Sequence, residues 1–159
     1  MLAMEPGSEI VAAQLAGDFT LPHDPDQRMV FIAGGIGITP FRSMIQFLLD
    51  TKQPRRITIF YANRTIEEVV YHDVLECAWR ELRIRTVYTL TDKSKIPPGW
   101  RGQVGHVTDS MIRTYIPNYR DCLYYLSGPN SMVTSFQRTL GKMHVRRDQV
   151  KTDFFPGFA

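Results

Sequence analysis

From about residue 28 onward the chain alternates two kinds of segment, and this alternation limits its fold more than any other feature. The runs "MVFIA", "RITIFYA", "RIRTVYTL", "CLYYLSG" and "VKTDFF" read as strands, short and rich in β-branched and aromatic residues. Between them lie segments of helical period. Pro40 to Asp50 sets Phe41, Met44, Ile45 and Leu48 on one face. A longer helix is expected to begin at Thr65 or just after it, with Glu67 and Glu68 in its first turn, where acids suit the helix dipole. "HVTDSMIRTYI" reads as a short helix capped by Thr108 or Asp109, and "NSMVTSFQRTLGKM" as a helix opening just after Pro129. "TDKSKIPPGWRGQVG" reads as a loop. Strand–helix–strand repetition requires parallel strands joined by right-handed crossovers. The expected fold is therefore α/β and doubly wound: a mostly parallel, five- to six-stranded sheet with helices on both faces.

The remaining bulk features exclude several functions. A length of 159 residues suits one domain, and a net charge of +3 from dispersed basic residues gives no footprint for nucleic acid. Cys77 and Cys122 form no paired motif, and His23, His72, His106 and His144 have no ligand spacing, so a disulfide framework or a metal site is not expected. There is no apolar run near the ~18 residues a membrane span needs. The cysteine usage suits a reducing cytoplasm.

The stretch "MVFIAGGIGITPFRSMI" holds the first chemical signal. In a doubly wound sheet, ligands lie beyond the carboxyl ends of the strands, beside helix N-termini. Gly34, Gly35 and Gly37 fall at such a place, and Pro40 suits a first helical turn because its missing N–H would be unpaired there anyway. The dipole of that turn favours an anion by roughly 0.3–1 kcal/mol. Thr39 adds a hydroxyl at the rim. The usual dinucleotide fingerprint ends in a third glycine where Pro40 stands, and the second strand ends in "YANR", without the ribose-binding acid expected there.

Four segments resemble the nucleotide-binding domain of ferredoxin–NADP reductase-like flavoenzymes. "AGGIGITPF" resembles the G-x-G-x-[ST]-P element, "FYANR" the second-strand end at the adenosine ribose, "YYLSGPNSMV" the C/S-G-P-x-x-M element below the nicotinamide, and "DFFPGFA" the F-x-G-[YF] tail. They occur in family order. The resemblance implies hydride transfer between nicotinamide C4 and flavin N5, with NAD(P)H and FAD carrying the chemistry. It implies that Gly34, Gly35, Gly37, Ile38, Thr39 and Pro40 form the turn that cradles the pyrophosphate and nicotinamide ribose, and that Asn63 and Arg64 face the adenosine ribose or its 2′-phosphate. Gly128, Pro129 and Met132 would shape the nicotinamide end. Ser127 stands where many members have Cys, beside the hydride path. Phe155 and Phe158 fall where the family places an aromatic near the flavin.

Each of these residues also has a plainer reading. Arg64 could be a solvated cation at a helix start, Ser127 a cap for the following helix, and Met132 simple core. Phe154, Phe155 and Phe158 could be core packing.

The first 27 residues stand outside the alternation. "PGSEIVAAQLAGDFTLP" resembles the closing strands of the family's flavin-binding barrel, giving a division into residues 1–27, barrel remnant and linker, and 28–159, nucleotide-binding domain. The barrel's R-x-Y-[ST] strand and Gly-Ser/Thr turn are absent, so the chain is expected to bind a nicotinamide dinucleotide and not to hold FAD firmly. Two functions follow: the nucleotide half of a flavin-dependent NAD(P)H oxidoreductase, with its flavin domain in cis or in trans, or a non-enzymatic NAD(P)H-binding or reductase-docking module. Arg64 with no neighbouring acid leans towards tolerating a 2′-phosphate. The electron acceptor is not encoded in these residues.

Overall fold

The computed structural model describes residues 17–155, with side chains as far as residue 153. The closing barrel strands expected before residue 17, the side chain of Phe155 and all of Phe158 lie outside the described residues.

The alternation becomes β1 (Met29–Gly34), α1 (Thr39–Asp50), β2 (Ile57–Asn63), α2 (His72–Leu82), β3 (Arg85–Leu90), β4 (Gln103–Val104), α3 (Asp109–Tyr115), β5 (Leu123–Pro129), α4 (Asn130–Lys142) and β6 (Val150–Phe155). The six strands form one sheet in the order β4-β3-β2-β1-β5-β6, and every neighbouring pair is parallel. The central strand is apolar throughout because both its faces are covered. Phe31 and Ala33 point to the α1–α2 side with Phe41, Ile45, Leu48 and Leu75. Val30 and Ile32 point to the α3–α4 side with Ile112, Val133, Phe136 and Leu140. No helix among the described residues is long and apolar enough to cross a membrane.

Two elements differ from expectation. The helix expected from Thr65 is a single 3-10 turn, Ile66–Glu68, after which Val69 returns to an extended conformation. The β-branched pair Val69-Val70 disfavours helix, and the Val70 N–H donates to the Tyr61 hydroxyl at 3.4 Å. Tyr71 then turns left-handed, at φ 58°, and α2 starts only at His72. The second difference is β4, two residues inside the expected loop, whose strand character comes wholly from pairing with Thr89 and Leu90. Of the two candidate caps for α3, Thr108 is used: its hydroxyl accepts the Met111 N–H at 3.2 Å.

The segment leading into β1 lies against the α1 side. Phe19 and Leu21 pack on that core, and backbone carbonyls of the segment are held from below. Tyr125 donates its hydroxyl to the Thr20 carbonyl at 2.7 Å, Lys151 its ammonium to the Asp18 carbonyl at 2.8 Å, and Arg55 its guanidinium to the Asp24 carbonyl at 2.8 Å.

Candidate functional site: a crevice at the switch point of the sheet

From β1 the chain steps outward through β2, β3 and β4, and then returns to the other side of β1 for β5 and β6. The reversal leaves a crevice at the carboxyl ends of β1 and β5, where crossover helices depart to opposite sides. Every sequence-derived site residue with a described side chain lies at the carboxyl ends of β1, β2 and β5 or in the turns and helix starts that follow them.

The glycines divide their work. Gly37 lies against the end of β5: a Cβ there would collide with the Ser127 carbonyl and stand 2.7 Å from Gly128 Cα. Gly34 and Gly128 make room for Met132, whose Cε would stand 3.2 Å and 2.7 Å from added Cβ atoms. Of these four crevice glycines, Gly35 alone faces open space, with φ at 51° and nothing within 4 Å of a would-be Cβ. It is the one of the four whose lost side chain leaves room for a ligand. Gly35–Ile38 form a 3-10 turn that runs directly into α1. Thr39 fixes the junction, since its N–H and its hydroxyl, the latter at 2.8 Å, both donate to the Ile36 carbonyl. Pro40 occupies the first turn of α1, and Ile38 is fully buried beneath it.

On either side of this turn stand two buried polar side chains without partners. Asn63, at the end of β2, is 3% exposed, and its amide makes no well-formed hydrogen bond, although the Tyr61 hydroxyl lies close enough to interact with it. Ser127, in β5, is 0% exposed with an unpaired hydroxyl. Ser127 pairs in register with Ala33, which pairs with Tyr61 two residues before Asn63, so both side chains share one sheet face. Two strand spacings and two residues along β2 separate them, about 12 Å. A buried polar group left unpaired costs about 1–3 kcal/mol, and such groups in native structures mark bound water, ion or ligand. Ser127 does not cap α4, whose start at Pro129 has no side-chain cap.

The end of β2 is held rigidly. The Asn63 carbonyl accepts the Thr91 N–H at 2.9 Å, and the Arg64 carbonyl accepts the Asp92 N–H at 3.0 Å. Arg64 itself is exposed. The absence of an acid inferred from "YANR" does not hold in three dimensions. Glu68 folds back within the 3-10 turn, and its carboxylate accepts the Arg64 backbone N–H at 3.0 Å. The Asp92 carboxyl also lies nearby, held below its usual range first by hydrogen bonds from Ser94 and more weakly by Lys95 and Arg64. The signal for Glu68 was present as an acid five residues past the strand end, and the helical reading of that segment hid it. Arg42, one turn into α1, was also missed; its guanidinium lies over the Tyr71 ring at 5.8 Å, with Nε buried and unpaired.

Residues 31–138 match the family model described as oxidoreductase NAD-binding domain. Among curated proteins, the chain is 30% identical over 158 residues to a subunit of the Na(+)-translocating NADH-quinone reductase of Methylococcus capsulatus, covering 97% of this chain and 39% of that one. It is 26% identical over 140 residues to the reductase component of the glycine betaine monooxygenase of Chromohalobacter salexigens, covering 86% and 38%. The chain thus spans about two-fifths of the length of these relatives. The fold is similar to part of the flavohemoglobin of Malassezia yamatoensis, solved with bound FAD and heme (TM-score 0.73, 23% identity, 88% of this chain and 35% of that one). It is also similar to part of a mutant ferredoxin–NADP+ reductase from Plasmodium falciparum in complex with 2′P-AMP (TM-score 0.64, 21% identity, 88% and 58%). With that match over most of its length, the chain belongs to the oxidoreductase NAD-binding domain family, and its fold is one that ferredoxin–NADP+ reductase shares.

Proposed function

We propose that this chain is the nucleotide-binding part of a flavin-dependent NAD(P)H oxidoreductase, presenting the nicotinamide to a flavin held by another domain or by a partner chain. The observation that carries this reading is the pair of unpartnered polar side chains, Asn63 and Ser127, on either side of the open turn at Gly35. An extended dinucleotide laid across the crevice spans the distance between them. Its pyrophosphate suits the space over Gly35 and the start of α1. Asn63, Arg64 and Glu68 suit the adenosine ribose. Ser127, Gly128, Pro129 and Met132 form the wall for the nicotinamide. When bound, the nicotinamide supplies a hydride at C4 for flavin N5. The chain's own residues bind, orient and exclude water, and the Ser127 hydroxyl, 0% exposed in the unliganded chain, becomes available to the nicotinamide end as its cover gives way. Phe155 and Phe158 remain candidates for the flavin side. The electron acceptor belongs to whatever carries the flavin, and the thiols Cys77 and Cys122 suit a cytoplasmic location.

Glu68 moves the nucleotide preference towards NADH. A carboxylate beside the ribose accepts hydrogen bonds from its hydroxyls and repels a 2′-phosphate.

Thermal unfolding and calorimetric titration with NADH and NADPH test this reading. At a hundredfold excess over Kd, a ligand bound only by the folded state stabilises it by about 2.7 kcal/mol. No shift of the melting temperature with either nucleotide would sink the proposal. NADH, FAD and a dye acceptor mixed with the chain alone should show no turnover; turnover would mean that this chain holds its own flavin.

A further inference from the structure

Three elements converge on the crevice: β1 through Gly34, α1 through Thr39 and Pro40, and β5 through Ser127 and Gly128. A cluster of aromatic rings joins the three just beneath their ends. Phe31 of β1 stacks on Phe41 of α1, with centroids 4.5 Å apart and planes at 16°. Tyr125 of β5 meets Phe31 edge-on at 5.2 Å. The fourth ring is Phe19, from the segment before the sheet, at 5.6 Å from Phe41 and 5.2 Å from Tyr125. Phe41 follows Pro40 directly, and Tyr125 lies two residues before Ser127 on the same sheet face. Phe19 therefore wedges between the helix that opens one wall of the crevice and the strand that ends in the other. It is anchored on both sides, because the carbonyls of Asp18 and Thr20 accept hydrogen bonds from Lys151 and Tyr125.

We propose that Phe19, which lies outside the matched family segment 31–138, is a positioning residue for the dinucleotide crevice. It sets the spacing between the start of α1 and the end of β5. Phe41, Phe31 and Tyr125 are fully buried, and a close-packed cluster transmits a lost ring as a shift of its neighbours. Binding geometry is sensitive to shifts well below 1 Å. Without the Phe19 ring, the start of α1 relaxes towards the vacated space and the Gly37–Ser127 contact loosens. This inference rests on the proposed dinucleotide site but concerns how its walls are held.

The test uses the chain with Phe19→Ala, Phe19→Leu and Phe19→Tyr. NADH affinity is read by calorimetry, and amide hydrogen exchange at Gly37 and Gly128 without nucleotide. The expected result for Phe19→Ala is an affinity loss on the order of tenfold with faster exchange at both glycines. Phe19→Tyr, which keeps the ring, should restore both readings. Phe19→Leu, which keeps most of the apolar volume, serves if the alanine variant does not fold. Wild-type affinity in a folded Ala or Leu variant overturns the proposal, whatever happens to the melting temperature. If the wild type itself fails to bind NADH, the functional reading falls, and exchange at Gly37 and Gly128 still decides the positioning role.

Discussion

Ser127 shows what a buried hydroxyl without a partner means for a single residue. Held at 0% exposure with nothing to bond, it destabilises the unliganded chain. Ser127→Ala is therefore expected to raise the unfolding free energy, by about 1 kcal/mol in urea titration, while weakening binding of the nicotinamide nucleotide but not of AMP. Equal loss of both ligands would place Ser127 elsewhere than the nicotinamide end. Glu68 allows an equally direct check. Glu68→Gln keeps an acceptor for the Arg64 N–H and removes the charge, so the ratio of NADH to NADPH affinity should fall, by roughly tenfold for one charge–phosphate repulsion of about 1.4 kcal/mol. An unchanged ratio would show that the carboxylate does not face the 2′ position.

The turn Gly35–Ile38 separates two roles that the glycines share in sequence. Gly37→Ala forces a methyl group into the Ser127 carbonyl and should cost about 1–3 kcal/mol as the turn lifts from β5. Gly35→Ala puts its methyl into open space with φ at 51°, a strain of about 1–2 kcal/mol, and should impair nucleotide binding more than its stability loss explains. Comparison of urea midpoints with NADH titrations separates the two. The turn itself was legible because its cause is local: glycines after an apolar run, then Pro in the first helical turn. The division of labour was not, since it depends on β5, about ninety residues further along. The same reason hid β4, which is a strand only through Thr89 and Leu90. It also hid the carboxylate of Glu68, which folds back onto the Arg64 N–H in a 3-10 turn where a longer helix was expected. The order of elements and the apolar face of α1 could be read from period alone; the burial of Asn63 and Ser127 without partners, and the rings that surround Phe19, could not.

At the scale of the whole molecule, the two cores flanking the sheet hold ionisable groups in neutral form. Burial raises the Cys122 thiol from 9.0 to about 11 and the Tyr88 and Tyr125 phenols from 10.0 to about 12. The unfolded chain releases these protons first, so their contribution is complete below pH 9. It falls as pH rises through the folded values, first for Cys122 and then for the tyrosines. The urea midpoint should decline from pH 9 to 11, and Cys122→Ala should remove the earliest part of that decline. A decline of the same size in the alanine variant would show that the thiol is not its source.

The sheet order has a consequence during synthesis. β1 is the central strand, yet of its two neighbours only β2 follows closely; β5 is made roughly a hundred residues later. At about 5–20 residues per second the ribosome needs several seconds to deliver it. Throughout that interval Val30, Phe31 and Ile32 present a bare, wholly apolar strand edge to the cell, the kind of edge that other chains readily extend. For this protein the interval between the first glycine turn and the Ser-Gly-Pro turn that closes on it is a window of exposure, and a nascent chain stalled inside it would be sticky in a way that the finished molecule is not.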